Sequence, residues 1–148
     1  MPKDILPPGS AFRNRFAAAA LALLTGVVGG HRFYLRGMRD PWAWLHPAAF
    51  ALGLLGVWRF VVQQRTDMAT WVLLAGFVAV VLAALIQALV IGLTADERWD
   101  ARWNAGTGRR SANGWGPVMV AMITLFGGFA ALAGGLAYVL QRLFGGLG

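Results

Sequence analysis

Gly26-Val27-Val28-Gly29-Gly30-His31-Arg32-Phe33-Tyr34-Leu35 closes the first apolar run of the chain. Within one residue, small apolar side chains give way to a basic, aromatic cluster. A helix leaving a lipid core changes in this way. Small residues sit where helices touch, and cations and amphipathic rings follow at headgroup level.

The composition supports that solvent. Of 148 residues, 58% are hydrophobic and 13% charged, and the mean hydropathy is +0.61. A soluble domain is roughly 45–50% apolar and about 25% charged, and a chain this small cannot hide such an excess in its own core. The net charge is +7. Its 13 cations fall in short segments between apolar runs, which suits anionic headgroups and leaves no long basic face for nucleic acid. No cysteine is present, so disulfides, thiolate metal sites and Cys nucleophiles are excluded.

Outward from the opening stretch, Met1–Ser10 is rich in Pro and Gly and reads as an irregular tail, with Ser10 a candidate N-cap. Phe16 to Gly30 reads as a first span, long enough only with Phe12 included and Arg13 and Arg15 snorkelling. His31 to Pro41 is loop one, and Trp42 to Val62 is the second span, with His46-Pro47 near its start and Arg59 near its end. Residues 11–62 thus form one hairpin. A second occupies 69–140: Ala69 to Leu93, a polar loop over 94–116, then a helix from Pro117 to about Leu140. In that loop Thr94-Ala95-Asp96-Glu97 begins a short helix at the membrane surface, Trp99 and Trp103 facing down. Residues 141–148 are a Gly-rich tail. The predicted fold is all-α: an integral membrane protein with four transmembrane helices in two hairpins plus that interfacial helix.

Small residues recur every fourth position at Ala75, Ala79 and Ala83, at Ala84, Ala88 and Gly92, and at Gly127, Ala131 and Gly135. That spacing lets backbones approach closely and predicts helix packing, within the chain or between copies. Trp42, Trp44, Trp71, Trp99, Trp103 and Trp115 are predicted interfacial anchors. Loops one and three carry seven cations against five in the tails and loop two, Arg59 set aside, which predicts loops one and three on the cytoplasmic side.

Gly26, Gly29, His31, Arg32, Phe33, Tyr34 and Leu35, followed by Gly53, Gly56 and Trp58, resemble the pattern of the TM-two domain family. The match runs over about residues 16–62. It implies a membrane module of two helices joined by a short loop, in a bacterial inner membrane, and no catalytic residue set. The family's glycine after Phe-Tyr-Leu is Arg36 here, with Gly37 one place late. Its acidic residue four places after the second-helix tryptophan is Val62, so Arg32 needs another partner or lies in water.

Candidate chemistry is sparse. His31 and His46 are the only histidines, with Asp40 the nearby carboxylate, and a metal site needs three or four converging ligands. No metal, cofactor or enzymatic activity is predicted. The leading expectation is an accessory, scaffold or assembly subunit that contacts anionic lipid and another membrane protein or itself. One alternative is a small oligomeric channel or transporter, for which Gln87 is the best mid-span polar group. Another is an anionic-lipid sensor built on Arg32, Arg36, Arg39 and the Trp99/Trp103 helix.

Overall fold

The computed structural model describes residues 11–112 and 114–145, so the tail 1–10 with Ser10, Asn113 and the last three residues lie outside the described part. The described residues form helices and no strand: α1 (Arg15–Thr25), a 3-10 turn (Gly26–Val28), α2 (Gly30–Arg36), α3 (Pro41–Val61), α4 (Met68–Leu93), α5 (Asp96–Trp103) and α6 (Gly116–Phe144). Three helices, α3, α4 and α6, are long and apolar enough to cross a membrane. Their outer faces carry exposed Leu52, Val72, Ile86, Ile123 and Phe129, a surface suited to hydrocarbon. Length and composition together fit a membrane protein.

The segment expected as the first span is built differently. Residues 11–14 are not helical, Asn14 caps α1 by accepting from the Ala17 N–H, and α1 ends at Thr25. At ~1.5 Å per residue the apolar stretch Arg15–Val28 reaches about 21 Å, short of the ~30 Å hydrocarbon core. Gly29 then takes the left-handed conformation, φ 76°, which only glycine adopts readily. The chain turns back into α2, where a loop was expected. The two ends of this hairpin meet: the Asn14 N–H donates to Tyr34 Oη at 2.9 Å, and the Arg13 guanidinium lies 5.4 Å from the Tyr34 ring.

The hairpin tip has a prepared seat. Pro47 lies inside α3 and has no N–H to offer the Ala43 carbonyl four residues earlier. Gly29 packs against that carbonyl, so closely that a Cβ on it would lie 2.7 Å from Ala43 O. Gly26 packs on Ala84 of α4 in the same manner.

α4 is the central rod, touched by α1, α3, α6 and the tip. Gly53 and Gly56 of α3 meet Phe77 and Leu73, and Gly92 and Gly128 sit at the α4–α6 crossing against Ala121 and Leu85. Both pairs therefore run antiparallel to α4. Of the two small-residue faces on α4, Ala84, Ala88 and Gly92 are buried, whereas Ala75 and Ala79 are exposed and Ala83 is half-buried. On α6 the buried glycine is Gly128; Gly127, Ala131 and Gly135 are exposed. Those expected packing residues are therefore not inside the described chain, because α6 contacts α4 one residue round from the face they define. α6 continues to Phe144, past the expected end at Leu140.

Candidate functional site

The elements at the Arg15 end of the bundle are tied together by side chains distant in sequence. Arg15 is buried and its Nη1 donates to Gly92 O at 3.1 Å and to Thr94 O, while its Nε lies 2.9 Å from Asp96 Oδ1. It therefore covers the last carbonyls of α4. Buried Asn104 clamps the chain before α1: its Oδ1 accepts from the Arg13 N–H at 2.7 Å and its Nδ2 donates to Arg13 O at 3.2 Å and Asp100 Oδ1 at 2.6 Å. Burial raises the Asp100 pKa, but the Ser111 hydroxyl and amide, Asn104 and Arg110 outweigh it and leave the carboxyl below its ordinary range. The sequence offers no local signal for these contacts, whose partners are up to 91 residues apart.

Between α2, the end of α4 and α5 lies a cleft of about 260 Å³. α2 lines it with His31, Arg32, Leu35 and Arg36, α4 with Gln87, Val90 and Ile91, Thr94 follows, and α5 adds Arg98, Trp99, Arg102 and Trp103. On α5 the spacing 98/102 and 99/103 puts two arginines and two indoles side by side. Arg32 is matched by Asp40 Oδ2 at 3.0 Å, so the partner missing at Val62 is supplied eight residues downstream. Arg36 and Arg98 have no ion-pair partner among the described residues, and the Arg102 guanidinium stacks 5.4 Å from the Trp103 ring. Among the described residues no carboxylate lines the cleft. Such a wall presents hydrogen-bond donors and positive charge to an anion.

Several motif residues have different surroundings from those expected. His31 is 2% exposed rather than interfacial, and its Nε2–H donates to Gln87 Oε1. Phe33 packs edge-on against Trp44 at 5.2 Å. Trp99 does not face the bilayer: it is 2% exposed and its indole N–H donates to Arg13 O at 2.8 Å, because the segment before α1 covers that face of α5. Trp103 is half-buried beside it, while Trp42, Trp44 and Trp115 are exposed at helix starts and half-buried Trp71 donates to Thr66 O. Trp58 is exposed near the end of α3. Arg39 does not line the cleft. Arg59 reaches the turn beyond α3, where it binds Asp67 at 2.8 Å and the Thr70 hydroxyl at 3.1 Å.

A second, wholly different opening lies towards the other end of α4 and α6. It is an apolar groove of about 900 Å³ lined by Trp71, Ala75, Ala79, Ala131, Gly135 and Leu136 among others. The exposed small-residue faces of both helices thus look into one space. Among the described residues no group of three or more His, Cys, Asp or Glu is placed to hold a metal ion. No protein-family model, curated protein or solved structure matches the chain.

Proposed function

We propose that this is a non-enzymatic multi-pass membrane protein of the inner membrane that binds an anionic group in the cleft between α2, α4 and α5. In this reading the first half of the TM-two-like pair dips into the bilayer and returns, and three helices cross. Non-spanning backbone is tolerated at membrane depth where protein covers it, as α4 and α6 cover α1. Arg13, Arg15, Arg32, Arg36, Arg39, Arg98, Arg102, Arg109 and Arg110 then share one side, against Arg59, Arg65 and Arg142 on the other. With Arg59 set aside as before and Lys3 outside the described residues, nine against two is a firmer bias than the seven against four that four spans give on the same residues, and it supports the cleft side as cytoplasmic.

The observation that carries the binding function is the convergence of Arg36, Arg98 and Arg102 on a space that no described carboxylate shares. The test is a melting curve in neutral detergent with inorganic phosphate, or a short-chain phosphatidic acid, replacing chloride. Ligand binding to the native state raises the melting temperature. The wild type gains stability and Arg98→Ala/Arg102→Ala does not; equal gains in both overturn the proposal.

The apolar groove supports a second role, as an accessory or assembly subunit. Ala75, Ala79, Ala131 and Gly135 leave room for a transmembrane helix of a partner or another copy. Ala79→Leu with Gly135→Leu abolishes cross-linking in native membranes on this reading, and unchanged cross-linking removes it.

A further inference from the structure

Resting on the cleft reading above, we infer that its occupant is the headgroup of a net-anionic phospholipid without an ammonium group, such as a phosphatidate or phosphatidylglycerol, drawn from the leaflet around it. Three features of the site carry this.

The first is that the charged and amide groups left free in the site are donors, the leftover acceptors being His31 Nδ1, which is buried, and the Thr94 hydroxyl oxygen. The guanidinium groups of Arg36, Arg98 and Arg102 have no acceptor role. Gln87 has its amide oxygen engaged by His31 Nε2–H, so its NH₂ group is the part left to offer. The Thr94 hydroxyl donates to Val90 O at 2.5 Å, so its oxygen can only accept and suits a hydroxyl of the headgroup rather than its phosphate. A phosphate with ester and hydroxyl oxygens matches such a set. The ammonium of a zwitterionic headgroup would meet arginines and no described carboxylate.

The second is continuity with the lipid-facing surface. Val90 lines the cleft and is itself 60% exposed, with exposed Ile86 one turn below it. An acyl chain leaving the cleft past Val90 would run down the outer face of α4, while Leu35 and Ile91 give the headgroup's glycerol an apolar flank. A free phosphate has no use for this track.

The third is depth. From Gln87 to Thr94 the cleft follows about 10 Å of helix at the very end of a span, the zone where phosphate and glycerol lie in a bilayer. Arg15 engages the carbonyls of Gly92 and Thr94, and its positive charge offsets the negative end of the α4 dipole beside the site.

The experiment uses the full chain in a nonionic detergent, titrated separately with dioctanoyl phosphatidic acid, phosphatidylglycerol, phosphatidylethanolamine and phosphatidylcholine, and with inorganic phosphate. Phosphatidic acid and phosphatidylglycerol bind, the two zwitterionic lipids do not at the same concentrations, and phosphate competes only at a large excess. Arg98→Ala/Arg102→Ala weakens the anionic lipids about thirtyfold, at about fivefold per arginine near an anionic headgroup. Exposed Arg36→Ala gives the single fivefold step should the double variant fold poorly. Gln87→Met weakens them about tenfold, the loss of one hydrogen bond to a charged group, and unchanged affinity overturns the placing of the headgroup at Gln87. If the arginine variants bind like the wild type, the cleft itself is not the site. If the arginines matter but phosphate alone competes as well as the lipid, or phosphatidylethanolamine binds as tightly as phosphatidylglycerol, the lipid assignment falls and the anion cleft stands.

Discussion

Replacing Gly29 by alanine tests the hairpin at its tip. The cost has two parts. An L-residue at φ 76° loses about 1–2 kcal/mol relative to glycine. The new Cβ would also lie 2.7 Å from Ala43 O and 3.2 Å from His46 Cβ. The first of these is backbone of a spanning helix, so α3 or the tip must move, and overpacking of this kind costs about 1–3 kcal/mol. Together they amount to about 2–5 kcal/mol, or a melting temperature lower by roughly 5–15 °C for a chain of this size. Gly127→Ala is the control: nothing lies within 4 Å of its Cβ position, and alanine is the better helix former by up to about 1 kcal/mol. Melting followed by circular dichroism in detergent compares the two. If Gly29→Ala melts within about 2 °C of Gly127→Ala, the tip does not sit against Ala43 and the hairpin geometry is wrong.

Other consequences are as direct. Arg15→Met strips Asp96 and two α4 carbonyls of a buried partner and should cost about 3–5 kcal/mol, whereas Arg65→Met, at an exposed pair 4.0 Å apart, should change stability by less than about 1 kcal/mol; matching melts refute it. Asp67 is held at about 2, below its ordinary 3.8, by the Thr70 amide, then Arg59 and the Thr70 hydroxyl. Its depressed value means its stabilisation is complete above pH 3.8 and is lost as the pH falls through 2. The melting difference between wild type and Asp67→Asn should therefore be full at pH 5 and shrink towards pH 2; a difference that stays constant with pH refutes the linkage. With no native cysteine, Ala11→Cys and Arg39→Cys should be labelled by an impermeant maleimide from the same side of sealed vesicles, and Gln64→Cys from the other. Labelling of Ala11→Cys from the Gln64 side would establish a fourth crossing.

The three long helices were legible because length and unbroken apolarity leave few alternatives. The expected Trp42–Val62 is one residue later than α3 at each end, and Ala69–Leu93 differs from α4 only at its first residue. The hairpin was not legible: a short span and a returning hairpin use the same letters, and one backbone angle at Gly29 separates them. Nor does a sequence distinguish Ala75/Ala79/Ala83 from Ala84/Ala88/Gly92, since either face satisfies the same spacing and only the position of α1 and α6 chooses between them. The cleft was half visible. Arg32, Arg36, Trp99 and Trp103 could be nominated from ring and charge placement, but Arg98 and Arg102 counted only as loop charge until α2 came back to face them.

Seating the hairpin tip on a carbonyl that Pro47 leaves free has a consequence for biogenesis. The hairpin precedes α3, α4 and α6 in the chain, so it has nowhere to dock until α3 has formed its notch and α4 and α6 have supplied the flanking walls. On the re-entrant reading proposed above, it waits at the membrane surface while those helices insert and reaches its depth after them, closing the structure behind the rest like a keystone.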